Sequence, residues 1–334
     1  MPKLTWVLFF VSATVTAAAD PAPSYRLLKT VPVTGDGGWD YVAVDETARR
    51  VYVSHGTQVV VLDADTCEVK GQIGDGAGIH GIAIAQKLNR GFVSNGRSNL
   101  VNIFDLTTLK NLGTVPTGKN PDCIIFDGAT GRVFAFNGRS ENLTVIDAAE
   151  GKAVETIELG GQPEFAAADG AGHVFVNLED KEEVLKLDAR NLKVLERWPI
   201  APAKTPVSMA IDAKNHRLFV GCRSKQMVIF NSDTGKVVST VPIGGRVDAS
   251  AYDPELHLIF SSCGDGTVSV IRQDSPDAYT ALEPIKTKTG ARTMGMDPKT
   301  HRLFLPCADF KPAEGSARPA MVPGTFAVLV FEKS

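Results

Sequence analysis

Pro121-Asp-Cys-Ile-Ile-Phe-Asp127, Arg132-Val-Phe-Ala-Phe-Asn-Gly138, Leu143-Thr-Val-Ile-Asp147 and Ala153-Val-Glu-Thr-Ile-Glu-Leu-Gly160 follow one another with only short turns between them. Each run is rich in β-branched and aromatic residues and is bordered by Gly, Asp or Asn, the pattern of a short strand. Four such strands in about 40 residues make one blade of a β-propeller. The unit recurs. Aligned on the residue that closes the first strand, the copies give Asp45, Ala85, Asp127, Asp169, Asp212, Asp253 and Asp297, at spacings of 40, 42, 42, 43, 41 and 44 residues. The seventh copy stops after its third strand, Phe326-Ala-Val-Leu-Val330. A matching fourth strand lies at the other end of the chain. Tyr25-Arg-Leu-Leu-Lys-Thr-Val-Pro-Val-Thr-Gly35 follows the wording of Lys236-Val-Val-Ser-Thr-Val-Pro-Ile-Gly244. The sequence therefore predicts an all-β, seven-bladed β-propeller with four antiparallel strands per blade. An N-terminal strand at about 25–35 completes the last blade and hides two sheet edges at once.

The 334-residue chain is expected to form a single propeller domain over residues 20–334, because the repeats leave no room for a second unit. Residues 1–19 read as a secretory signal peptide. Lys3 supplies a positive start, Leu4 to Val15 an apolar stretch, and Ala17-Ala-Ala19 a cleavage site, with Asp20 as the mature start. The expectation is an exported, periplasmic protein without a membrane anchor. The formal net charge of −3 and the scattering of Lys and Arg argue against a nucleic-acid binder, and a monomer is expected. The five cysteines leave at least one thiol free.

The wording of the repeats adds a resemblance. Val-Tyr-Val-Ser, Asn-Gly-Arg-Ser, Val-Ile-Asp-Ala and Thr-Val-Pro-Ile-Gly-Gly resemble the YVTN-repeat, YncE-like family of exported bacterial β-propellers, over essentially residues 25–334. That resemblance implies an exported seven-bladed propeller. It carries no catalytic motif that transfers to this chain.

In a propeller, equivalent positions of successive blades form rings around the axis. Five residues before each aligned end the chain has Asp40, His80, Asp122, Glu164, Val207, Asp248 and Arg292, six of them ionisable, at one mouth of the central channel. Two residues before the end stand Ala43, Ala83, Ile125, Ala167, Ala210, Ala251 and Gly295, mostly small residues that let inner strands pack. A second ring follows the second strands: His55, Asn95, Asn137, Leu178, Cys222, Cys263 and Cys307. Arg97 and Arg139 come just after it, each in an Asn-Gly-Arg-Ser turn whose glycine is expected to make the tight turn. The stretch 309–324 is longer than a blade turn and reads as a lid, a binding loop or a mobile surface loop over the same face.

These rings admit different chemistries. His80 with Asp40, Asp122 and Glu164 offers one imidazole and three carboxylates to a divalent metal ion. The other reading is a hydrogen-bonded polar rim in which Arg292 neutralises Asp40 and Asp248. Cys222, Cys263, Cys307 and His55 are a weaker candidate for a metal or for one disulfide; the alternative is small buried residues at blade interfaces. Trp39 and Tyr41 flank Asp40 as an apolar wall. No Gly-x-Ser-x-Gly elbow, phosphate loop or His-Glu-x-x-His occurs. The sequence thus points to a binding or scaffold module that presents a polar mouth, lined by Asp40, His80, Asp122, Glu164, Asp248, Arg292, Arg97 and Arg139, to a small polar ligand, an ion or a protein segment. The competing reading is a metal-dependent lyase or hydrolase that uses the His/carboxylate ring. No cofactor other than a divalent metal ion is suggested.

Overall fold

A computed structural model describes residues 24–35, 37–74, 76–312 and 320–334. The signal-peptide reading of residues 1–19 and the part 313–319 of the stretch 309–324 lie outside the described residues. Seven antiparallel sheets follow one another around a ring. Blade 1 runs outward from the axis through Trp39–Asp45, Arg50–His55, Gln58–Asp63 and Val69–Ile73. The innermost strands of blades 2 to 6 are Ile79–Ala85, Pro121–Asp127, Pro163–Ala168, Pro206–Asp212 and Val247–Asp253; blade 7 has the short Gly295–Asp297. Blade 6 carries an extra pairing outside the four-strand plan, Ile285–Lys286 against Thr267–Ser275. No helix among the described residues is long and apolar enough to cross a membrane.

The core lies between blades. Second strands alternate so that one aromatic per blade points into the next: Tyr52, Phe92, Phe134, Phe175, Phe219, Phe260 and Phe304 are all fully buried. Each contributes about 1.5–3 kcal/mol by leaving water. Fourth strands face solvent and are mostly exposed, as in Lys152–Glu158. Inner strands come so close that blade 7 has no room for a side chain at Gly295. A Cβ there would lie 2.6 Å from Cγ1 of Val42 in blade 1.

The ring closes as the repeat count predicted. Tyr25–Pro32 pairs antiparallel with Ala327–Lys333, in register from Tyr25 opposite Lys333 to Pro32 opposite Ala327. Blade 7 thus takes its outermost strand from the other end of the chain. On the face opposite the ionisable ring, Arg49 of blade 1 clamps Asp297 of blade 7 through two hydrogen bonds of 2.9 and 2.7 Å. Asp297 is fully buried, so this pair locks the closing seam. The aspartates that end third strands start turns. Asp105 Oδ1 accepts from the amides of Thr107 and Thr108, and Asp147 Oδ1 from those of Ala149 and Glu150.

Candidate functional site

The ring residues owe their direction to a break in the inner strands. In blades 1 to 6 the ladder slips at the ring, for example between Trp39 and Val42 and between Ile79 and Ile82. Such a bulge re-aims a side chain and leaves backbone groups to satisfy. Second-strand side chains satisfy them. Ser54 Oγ accepts from the Asp40 amide at 2.9 Å, Ser94 Oγ from the Gly81 amide at 2.8 Å, and Asn177 Oδ1 from the Phe165 amide at 2.7 Å. Ser94 also donates to the Asp122 carbonyl of the next blade at 2.5 Å, and Ser262 donates to the Arg292 carbonyl. Sequence reasoning passed over these side chains as ordinary strand residues. The recurrence of serine at 54, 94 and 262 was the available signal.

Three consecutive blades then meet at one nitrogen. His80 Nδ1 lies 2.7 Å from Asp40 Oδ2 and 3.5 Å from Asp122 Oδ1. The three side chains stay partly open, at 25, 24 and 20% exposure. Among the described residues this is the one group of metal-ligand type whose ligand atoms all fall within 4.8 Å of one another. Burial works against a charged imidazole, but the Asp40 hydrogen bond and the Asp122 and Asp40 charges outweigh it and raise the His80 pKa. Burial and the Asp40 charge push Asp122 up to about 7, although His80 pulls it down. The glycine of the first Asn-Gly-Arg-Ser turn turns out to serve the imidazole. Gly96 has no positive φ, and a Cβ on it would stand 2.7 Å from His80 Nε2. The left-handed residue of each turn is instead Asn99 or Glu141.

The far side of the ring is built differently. Glu164 does not join the His80 group, which corrects its inclusion in the expected ligand set. It lies on blade 4 and shares a small cavity of about 30 Å³ with Asp40, Asp248 and Thr293. Arg292 Nε donates to Asp248 at 2.5 Å, while Asp40 pairs with His80. Arg223 bridges Glu179 at 3.1 Å and Asp248 at 3.5 Å. Burial, then the charges of Asp122, Glu179 and other carboxylates, raise Glu164 to about 9. Burial also raises Asp248, against the pull of Arg292. Tyr41 spans the axis: its hydroxyl, on blade 1, donates to the Glu164 carbonyl at 2.7 Å, and its ring lies 5.2 Å from Phe165. The mouth is therefore a cup narrowed by Tyr41. Trp39 turns away from the axis, into Phe326 and Phe310.

The second ring does not form a site. Its members end the second strands rather than following them, opposite inner-strand residues, as His55 is opposite Trp39 and Cys222 opposite Pro206. That places them under apolar cover. All five cysteines are buried free thiols. Cys222 packs with Val220 and Phe230, Cys263 with Met227 and Ile259, and Cys307 with Leu305 and Phe331, in three separate parts of the core. His55 stacks on Phe326 at 3.9 Å between centroids. These four are spread over separate blades, and no metal-ligand group that includes them occurs among the described residues. Burial raises the Cys222 thiol to about 12. Arg97 joins Asp40, His80 and Arg292 around an open cleft of about 370 Å³ at the mouth, whereas Arg139 is exposed and does not line that cleft. The stem of the 309–324 loop is a bridge between Phe310 and Met321, tied down by a Lys288–Asp309 ion pair of 2.7 Å.

Comparison with known proteins agrees with this architecture. No curated protein matches the sequence. Among solved structures, a chain of hydrazine synthase from Kuenenia stuttgartiensis is similar at 16% identity, with a TM-score of 0.72 over 82% of this chain and 94% of that one. A chain of the mitotic checkpoint complex is similar at 15% identity, with a TM-score of 0.77 over 99% of both chains. U3-55K is similar at 11% identity, with a TM-score of 0.75 over 92% of this chain and 99% of that one. At these identities the likeness is one of fold. Residues 29–171 match the model of the YNCE-like β-propeller family. Seven blades, a ring closed by the N-terminal strand and that match over residues 29–171 support the YncE-like β-propeller family for this chain.

Proposed function

We propose that this protein is an exported binding module whose mouth takes a cation, and that a divalent metal ion sits on Asp40, His80 and Asp122. One observation carries the reading: a single imidazole nitrogen faces two carboxylates of neighbouring blades, at 2.7 and 3.5 Å. One N–H can satisfy only one of them. A metal ion bound by neutral imidazole and both carboxylates would satisfy all three, and mixed nitrogen and oxygen donors suit a borderline divalent ion such as Mn²⁺ or Zn²⁺. The rest of the cup sets the Glu164 and Asp248 carboxyls against Arg292 and Arg223. The N-terminal leader reading supports export.

The test is metal titration of the intact protein by calorimetry with Mn²⁺ and Zn²⁺. One ion per chain is expected, with loss of binding in His80→Ala and Asp122→Asn. Unchanged stoichiometry in both variants would end the proposal. The second reading, a metal-dependent lyase or hydrolase, draws on the same group, because three protein ligands leave positions open towards the cleft that holds Arg97 and Arg292. It requires turnover that disappears with His80→Ala.

A further inference from the structure

Beneath the mouth lies the cavity of about 30 Å³ that the metal reading does not use. Asp40, Glu164 and Asp248 reach it from blades 1, 4 and 6, and Thr293 from blade 7. Thr293 is 3% exposed, and its hydroxyl has no hydrogen-bond partner among the described residues. A buried hydroxyl without a partner costs about 1–3 kcal/mol and calls for an occupant. The rest of the wall is Tyr41, Val42, Phe165, Ala249 and Met294. Three acidic residues and a threonine thus share a small space with two aromatic residues and a methionine.

We infer that this cavity is a second subsite, built to receive a primary ammonium group. The size decides first. At about 30 Å³ the cavity exceeds the roughly 10–15 Å³ that one water needs, and so has room for a head as small as –NH₃⁺. The donor set decides next. A hard divalent ion wants oxygen on all sides and holds its ligands tightly. Here much of the wall offers no oxygen donor, and Asp40, Glu164 and Asp248 do not converge as a metal-ligand group. An ammonium tolerates that arrangement. Its three N–H groups can be shared among the carboxylates and Thr293, while the paired rings of Tyr41 and Phe165 supply an apolar wall for its carbon. The charge balance agrees. Arg292 serves Asp248, His80 serves Asp40, and Glu164 has no cationic partner among the described residues. A water molecule would fill the space but would give Glu164 no cation against which to ionise. Asp40 belongs both to this cavity and to the open cleft, so the tail of the ligand would leave past Asp40 into the mouth. The ammonium can come from a small alkylamine or from a lysine side chain of a partner segment.

The experiment measures melting temperature and calorimetric binding of the intact protein with methylammonium, Nα-acetyl-lysine amide and tetramethylammonium chlorides, each against NaCl at equal ionic strength. Methylammonium and the lysine derivative are expected to raise the melting temperature, and tetramethylammonium, too large for the cavity, is not. Tighter binding of the lysine derivative assigns the source to a peptide, and tighter binding of methylammonium assigns it to a small amine. Thr293→Val and Glu164→Gln should each weaken binding about tenfold or more, as expected for hydrogen bonds to a charged group. His80→Ala should abolish Mn²⁺ binding yet keep the ammonium response, and Thr293→Val should do the reverse. No response beyond NaCl would mean that water alone occupies the cavity. An equal response to tetramethylammonium, or one that survives in both variants, would place the effect elsewhere. Any of these results overturns the inference without touching the metal reading.

Discussion

Replacing Glu164 by Gln should stabilise this protein, and the gain should grow with pH. Glu164 is a carboxyl shifted from 4.5 to about 9, first by burial and then by the charges of Asp122 and other carboxylates. A folded-state pKa above the unfolded one means that the native state binds the extra proton. Stability is then fully present below about pH 4.5 and falls as pH rises towards 9. At pH 7 the loss is about 3 kcal/mol, from about 1.4 kcal/mol per pH step across the interval between 4.5 and 7. Partial contact with solvent trims this to about 2 kcal/mol. Gln keeps the shape of the protonated acid and cannot ionise. Urea unfolding of the wild type and Glu164→Gln between pH 4 and 9 reads the difference directly. The two midpoints should coincide near pH 4 and separate steadily above it, in favour of the variant. A constant gap across this range, or a variant less stable at pH 9, would refute the argument that uncompensated charge loads the cup. Saturating methylammonium should narrow the gap by stabilising the ionised wild type.

Three further outcomes follow from the same structure. Arg49→Ala strands the fully buried Asp297 at the closing seam and should cost about 3–5 kcal/mol. Although burial opposes it, the Arg49 hydrogen bond lowers the Asp297 pKa, so the seam stabilises above the unfolded carboxylate range and fades as pH falls through the lowered value; the acid limb of a stability–pH curve should be shallower in the variant. Gly96→Ala puts a methyl group 2.7 Å from His80 Nε2, and should weaken Mn²⁺ binding while the far-UV circular dichroism spectrum stays unchanged. Thiol titration should find all five cysteines unreactive in the native protein and all five reactive in denaturant, because each is buried and unpaired with another. Early reaction of Cys222, Cys263 or Cys307 would show that their blade interfaces open.

The sequence determined the count of blades, the closing strand and the ring to which Asp40, His80, Asp122, Glu164, Asp248 and Arg292 belong. These are properties of register, and register is written in a repeat whose strands alternate about turn residues at fixed spacing. What the sequence left open was distance across blades. Equivalent positions share a ring, but a bulge decides which way each side chain leaves it. His80 swings into Asp40 and Asp122, while Glu164 faces a separate cavity with Asp248. Cys222, Cys263 and Cys307 also share a ring, yet they sit one strand further out, where neighbouring blades diverge and apolar side chains fill the gaps. The bridge from Tyr41 to Glu164 and the unpartnered Thr293 hydroxyl join blades far apart in the chain. No local pattern encodes such contacts, because they arise only when seven sheets close on one axis and fix the width of the space between them.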